Sequence, residues 1–139
     1  MMAGMKRLEM NAACPCGRLH QKKPLTYGTC CGRWLESGAP APDAESLMRS
    51  RYCAFVLERE AYLMQTWHAS HRPAHIAFDP GVKWLGLEVR SHTEKDSAHA
   101  HVEFVARQKP ASGAAVRLHE RSRFVRETGQ WLYVDGDAL

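Results

Sequence analysis

Four of the five cysteines fall early in the chain, as Cys14-Pro15-Cys16-Gly17 and Cys30-Cys31-Gly32. Two close pairs of thiols joined by one loop can offer a metal ion four soft ligands, and Zn²⁺ takes such ligands at tetrahedral corners with a Zn–S distance of ~2.3 Å. Pro15 stiffens the first pair, and Gly17 and Gly32 can take the positive φ values needed where backbone turns tightly around an ion. His20, inside the connecting loop, can replace one thiolate, for example Cys30, if adjacent cysteines do not both reach the metal. Reduced thiols without metal and a redox or disulfide pair are the competing readings. Neither pair has the CxxC spacing of thioredoxin-like sites. Structural zinc supplies ~10–16 kcal/mol of apparent binding free energy in finger peptides, so residues 11–35 are expected to order only with metal. Cys53, alone in a helical segment, reads as a small core residue.

Outside the cysteines, Glu120 stands out. Its strand position puts a carboxylate on the apolar side with Leu118 and Phe124, where it needs a partner. Arg49 or Arg51 can supply a bidentate pair, and Ser122 and Tyr52 can add hydrogen bonds. One reading is a structural ion pair pinning helix to sheet; the sharper one is a binding or catalytic carboxylate in a cavity, with His68 or Tyr52 assisting. His68 reads equally as a cap and dipole partner at a helix C-terminus.

The elements that must position these groups follow from periodicity. Glu36 to Pro42 (ESGAPAP) is a linker, and Asp43 after it is a natural N-cap. Met48, Tyr52, Phe55 and Val56 recur at helical spacing, predicting a helix from Ala44 to about Leu57. A second helix is expected over Glu60 to His68, with Leu63 and Trp67 on one side and Pro73 beyond its end. The period then becomes two. Leu85, Leu87 and Val89 form one strand face, Val102, Phe104 and Ala106 the next, and Val116, Leu118, Glu120, Ser122 and Phe124 a third, followed by Trp131 to Val134. Arg117, His119, Arg121 and Arg123 take the opposite face of the third run. Thr128-Gly129 supplies a hairpin turn, and Lys109 to Gly113 and Ser91 to Ser97 are expected connections.

Helices followed by an antiparallel meander mean an α+β fold, a curved sheet packed on two helices and preceded by the Cys-rich knuckle. The expected division is residues 1–38 for the knuckle and 39–139 for the α+β domain. A length of 139 residues suits one core with a small appendage. The net charge of +4 comes from 19 basic residues interleaved with 15 acidic ones, so nucleic-acid binding has weak support even with Arg107 beside the other arginines. No run approaches the ~20 apolar residues of a membrane span, and the basic start lacks the apolar stretch of a signal peptide. A cytoplasmic protein with reduced thiols is expected.

The segments CPCG…CCG, LMRSRYCAFV, TWH, WLGLEV, VEFVAR, LHERSRFVR and WLYVDG, in this order and spacing, resemble the small bacterial YchJ family (UPF0225) along almost the whole chain. The resemblance implies a SEC-C zinc motif, also seen at the tail of the SecA translocation ATPase, joined to a nuclear-transport-factor-2-like (NTF2-like), cystatin-like domain. It maps the metal ligands onto Cys14, Cys16, Cys30 and Cys31. Arg18-Leu19-His20-Gln21 stands where the motif commonly has Gly-Ser-Gly-Lys, and the loop is longer, which costs little closure entropy. The implied function is a zinc-binding protein-interaction or adaptor module. The alternative is small-molecule binding, or a lyase or isomerase, in a cavity of the α+β domain. No paired carboxylates, nucleophile elbow, phosphate loop or catalytic metal triad is present, so enzyme status stays open.

Overall fold

The computed structural model describes residues 6–139; the first five, part of the segment read for a signal peptide, lie outside the described residues. The N-terminal part holds a short hairpin, β1 (Leu19–His20) and β2 (Lys23–Pro24), a 3₁₀ turn (Tyr27–Thr29) and one helical turn, α1 (Gly32–Leu35). Then come α2 (Ala44–Val56), α3 (Glu60–Gln65) and four strands, β3 (Lys83–Asp96), β4 (His99–Lys109), β5 (Val116–Glu127) and β6 (Gln130–Ala138). The strands form an antiparallel meander in the order β3-β4-β5-β6. The α+β architecture is therefore the one read from the sequence. No helix among the described residues is long and apolar enough to cross a membrane.

Helix α2 begins where its sequence says it should. Asp43 is extended, and its Oδ1 accepts the Ser46 N–H at 2.7 Å. That bond satisfies one of the amides left free at a helix start. The stripe of Met48, Tyr52, Phe55 and Val56 faces the sheet. A second stripe, Ser46, Arg49, Ser50 and Cys53, is also covered, with Ser46, Ser50 and Cys53 fully or almost fully buried. The helix is thus enclosed on both sides, by the sheet on one and largely by the cysteine knuckle on the other. Cys14, Cys16, Tyr27 and Trp34 share a continuous core with Ala44, Leu47, Tyr52 and Cys53.

Three expectations about the elements need correction. Helix α3 stops at Gln65 rather than His68, because β6 captures the chain: Tyr133 donates its N–H to Thr66 O at 2.8 Å, and His68 donates to Tyr133 O at 2.7 Å. The Ser91 to Ser97 stretch is no connection. Strand β3 runs on to Asp96, whose Oδ1 accepts the Ala98 N–H at 2.8 Å in the tight turn that follows. Leu85 is exposed instead of sharing a face with Leu87 and Val89, because the β3–β4 register slips between Trp84 and Gly86. Such a bulge re-aims the neighbouring side chain. Here it falls at a glycine with φ 150° and turns Trp84 inward against Tyr52, with ring centroids 5.6 Å apart.

The arginine-rich outer face of β5 is where it was expected and is interleaved with acids. Arg123 pairs with Asp135 at 2.6 Å and Asp137 at 2.8 Å, and His119 lies 2.8 Å from Glu103.

The linker is fastened at its start. Glu36 accepts from the buried Tyr27 hydroxyl at 2.8 Å and pairs with Arg59 at 2.9 Å, joining the knuckle to the segment between α2 and α3. Partial burial works upward on this carboxyl, but the bonds from Arg59 and Tyr27 outweigh it and hold its pKa below the usual value. A carboxyl depressed in the folded state stabilises above its unfolded pKa and loses that contribution as pH falls through the folded value. Glu36→Gln should therefore be less stable than wild type at neutral pH, with the gap closing below about pH 4, near the ordinary glutamate value. Urea titrations of both proteins across that range read the difference directly.

Candidate metal centre and cavity

The loop that carries the first pair of thiols folds as its residues demand. Cys14 donates its N–H to Leu25 O at 3.0 Å, and Gly17, at φ 74°, donates to Cys14 O at 3.1 Å, closing a tight turn around the sulfurs. The chain returns through β1 and β2 across Gln21 and Lys22, both at positive φ. The second pair is set by the 3₁₀ turn. Thr26 caps it, Cys30 donates to Tyr27 O at 3.1 Å, and α1 starts at once. Gly32 is required there, since a Cβ would lie 2.7 Å from Tyr27 O.

These turns bring Cys14, Cys16, Cys30 and Cys31 together, with all four sulfurs within 4.8 Å of one another. Cys14 and Cys16 are 3.6 Å apart, Cys16 and Cys30 3.6 Å, and Cys30 and Cys31 4.0 Å. Sulfurs at tetrahedral corners about 2.3 Å from a common ion lie about 3.8 Å apart, whereas a disulfide needs about 2.05 Å. The donor set fits a thiolate-bound metal ion. His20, the proposed substitute ligand, is exposed in β1 and stands apart from the group.

Two residues of α2 complete the surroundings. The Arg49 guanidinium donates to Cys16 O at 3.0 Å and reaches Cys16 Sγ at 3.9 Å, while Glu45 holds it at 2.9 Å. Cys53, read as a plain core residue, places its Sγ 3.6 Å from that of Cys14. Charge within the sulfur cluster is shared unevenly. Cys16 is pushed strongly down, first by Cys14 and then by the other thiols. Cys14 comes down to about 4: its bond to Cys16 works upward, but those from Cys30, Cys31 and Cys53 outweigh it. Bonds to Cys14 and Cys16 push Cys30, Cys31 and Cys53 up. Deprotonated together, as metal ligation requires, four sulfurs this close and this buried need more positive charge than Arg49 supplies.

On the opposite side of α2 a cavity of about 420 Å³ opens between the helix and the sheet, and Glu120 lines it. The arginine partners expected for Glu120 are elsewhere. Arg49 serves the cysteines, and Arg51 donates to Leu63 O at 2.9 Å and Thr66 Oγ1 at 2.7 Å, with its guanidinium over the rings of Trp67 and Tyr133 at 4.8 and 4.6 Å. Burial pushes Arg51 down to about 10. Glu120 Oε2 instead accepts from Ser122 Oγ and, at 3.4 Å, from Tyr133, a partner the sequence did not suggest. Tyr52 lines the cavity; His68 does not, lying 3.0 Å from Glu127 and 2.7 Å from Ser70.

Comparison with known proteins agrees with this fold. A family model described as YchJ, middle NTF2-like domain, matches residues 43–136. A UPF0225 protein of Polaromonas sp. (strain JS666 / ATCC BAA-500) is 69% identical over 129 residues, covering 91% of this chain and 93% of its own. Another, from Bordetella pertussis, is 55% identical, covering 91% and 92%. The solution structure of a SEC-C motif containing protein from Rhodopseudomonas palustris superposes with a TM-score of 0.78 at 32% identity, covering 92% of this chain and 99% of that one. The crystal structure of a second, from Psychrobacter arcticus, gives 0.74 at 31%, covering 91% and 82%.

Removing metal with a chelator under reducing conditions should abolish amide-exchange protection across residues 11–35 while β4 and β5 stay protected, as hydrogen exchange read by mass spectrometry will show.

Proposed function

The chain belongs to the UPF0225 family, with the YchJ middle NTF2-like domain across residues 43–136, and from that premise we propose that it is a protein-interaction module whose docking knuckle is held together by structural Zn²⁺ on Cys14, Cys16, Cys30 and Cys31. The carrying observation is the set of four buried sulfurs within 4.8 Å of one another, with three of their separations at 3.6, 3.6 and 4.0 Å. Four thiolates favour zinc over the hard cations, and a set closed by four protein ligands suits a structural rather than a catalytic metal. A reducing compartment, the cytoplasm, goes with thiols kept as ligands.

The docking surface is the β1–β2 hairpin. Leu19 is 59% exposed at its start. His20, Lys22 and Lys23, all exposed, lie on the same hairpin, with no acid between residues 10 and 35. An exposed apolar side chain on a basic hairpin suits an acidic protein surface with an apolar spot. The metal keeps so short a hairpin rigid, which lowers the ordering cost of binding.

Elemental analysis of untagged protein purified without added metal should give about one zinc per chain. Cys14→Ser and Cys30→Ser should lose it, and Cys53→Ser should keep it. Wild type without zinc would overturn the metal assignment. A Leu19→Glu, Lys22→Glu, Lys23→Glu variant should retain zinc yet lose the partners recovered by cross-linking in cells; unchanged partners would refute hairpin docking.

A further inference from the structure

The cavity between α2 and the sheet has the size of a small-molecule site, within the range of ~300–1,000 Å³ usual for such pockets. Aromatic side chains, Phe55, Trp84 and Phe104 among them, form much of its wall, and charged and polar groups including Arg51, Gln108, Glu120 and Ser122 interrupt it. Glu120 is placed there with one oxygen spoken for. Oε2 takes the bonds from Ser122 and Tyr133, whereas Oε1 takes none among the described residues. The sheet makes room for this carboxylate: across the strand pair, a Cβ at Gly136 would lie 2.7 Å from Glu120 Cδ and 2.9 Å from Cγ. Glu120 is half-buried, so this oxygen is reachable from the cavity and open to a donor from a bound molecule.

Two other acids border the cavity, and both are engaged. Glu58 pairs with Lys6 at 3.1 Å, and the exposed Asp79 accepts the Gly81 N–H at 2.9 Å. The charge of the missing donor therefore follows from Arg51. Its guanidinium lines the same cavity, 6% exposed and fixed over two aromatic faces, so the chamber already holds a cation against Glu120. A second positive charge would meet Arg51 in a low-dielectric space, and a negative one would meet Glu120. We propose that the cavity binds an uncharged, flat, predominantly aromatic small molecule that presents one hydroxyl or N–H donor to Glu120 Oε1. The walls supply stacking area and Glu120 sets orientation. Binding rather than catalysis is the assignment, since His68 is outside the chamber and the other acids of its lining are held by Lys6 and Gly81.

N-phenyl-1-naphthylamine, a neutral fluorophore with one N–H, tests the site on the full, metal-loaded chain, with 1-phenylnaphthalene as the partner lacking the donor. Saturable one-to-one binding is expected for both. Glu120→Leu should weaken the amine about tenfold, from loss of a hydrogen bond to a charged group, and leave the hydrocarbon within about twofold. Ala106→Trp, which fills the chamber from a buried lining position, should abolish both. Intermolecular NOEs from the bound amine to Trp84 and Phe104 locate it independently, whether or not the filled variant folds. Absence of saturable binding, NOEs confined to outer-face residues such as Leu85, or a Glu120→Leu effect equal for the two probes would each overturn the proposal.

Discussion

Buried sulfur charge is the constraint around which the N-terminal third is arranged. Four cysteine side chains sit at van der Waals spacing with almost no solvent access, two of them pushed toward thiolate, and Arg49 is the cation that reaches them among the described residues. Isolated buried anions are expensive, so any thiolate in such a cluster needs a counter-charge. The turn at Gly17, the capped 3₁₀ turn and the close approach at Gly32 all place sulfurs, and none of them encloses enough apolar surface to be stable by itself. A metal at the centre answers both needs at once, by neutralising the thiolates and by closing the loops.

The same cluster determines what α2 can be. A helix packed on one sheet needs only one apolar stripe, yet this one is covered along a second side as well, at Ser46, Arg49, Ser50 and Cys53. These are small or cationic residues, which is what a knuckle rich in sulfur and backbone carbonyls can accept: Arg18 donates to Ser46 Oγ at 2.8 Å, and Arg49 to Cys16 O at 3.0 Å. Arg49 and Arg51, two positions apart, consequently serve opposite sides of one helix. One steadies sulfurs, and the other lies between aromatic rings of the cavity wall. The helix mechanically joins the two sites.

How much of this the sequence disclosed depended on whether the relevant contact was local. The cysteine pairs were legible because ligands close in sequence are constrained by spacing, and the inward position of Glu120 because strand alternation is a two-residue rule. Partners were not legible. Arg51 was a sound candidate for Glu120 by charge, but it found carbonyl and hydroxyl acceptors and two ring faces nearer by, leaving Ser122, two residues along the same face, and Tyr133 from the neighbouring strand. Cys53 gave no signal, since a lone helical cysteine looks the same whether it meets leucine or a thiolate. The shift that exposes Leu85 did leave a trace, Gly86 inside a strand, which is a common mark of a bulge. The early end of α3 left none, because the backbone of β6, not a breaker residue, captured Thr66 to His68.

The two sites also make sense together energetically. At ~24 cal/mol per Å³, a sealed and empty chamber of this volume would forfeit packing on the order of 10 kcal/mol; the opening to solvent makes that an upper bound. Domains of this size have net stabilities of only ~5–15 kcal/mol, so an imperfectly filled core needs support from elsewhere. Structural zinc, at ~10–16 kcal/mol of apparent binding energy in finger peptides, is of the required magnitude. A metal bound by the four cysteines would act on α2 through Cys53 and Arg49, on the side away from the chamber. On that account the knuckle has a role within the fold itself: by holding the helix from outside, it would let the inner face of the sheet keep an aromatic chamber open instead of collapsing to fill it.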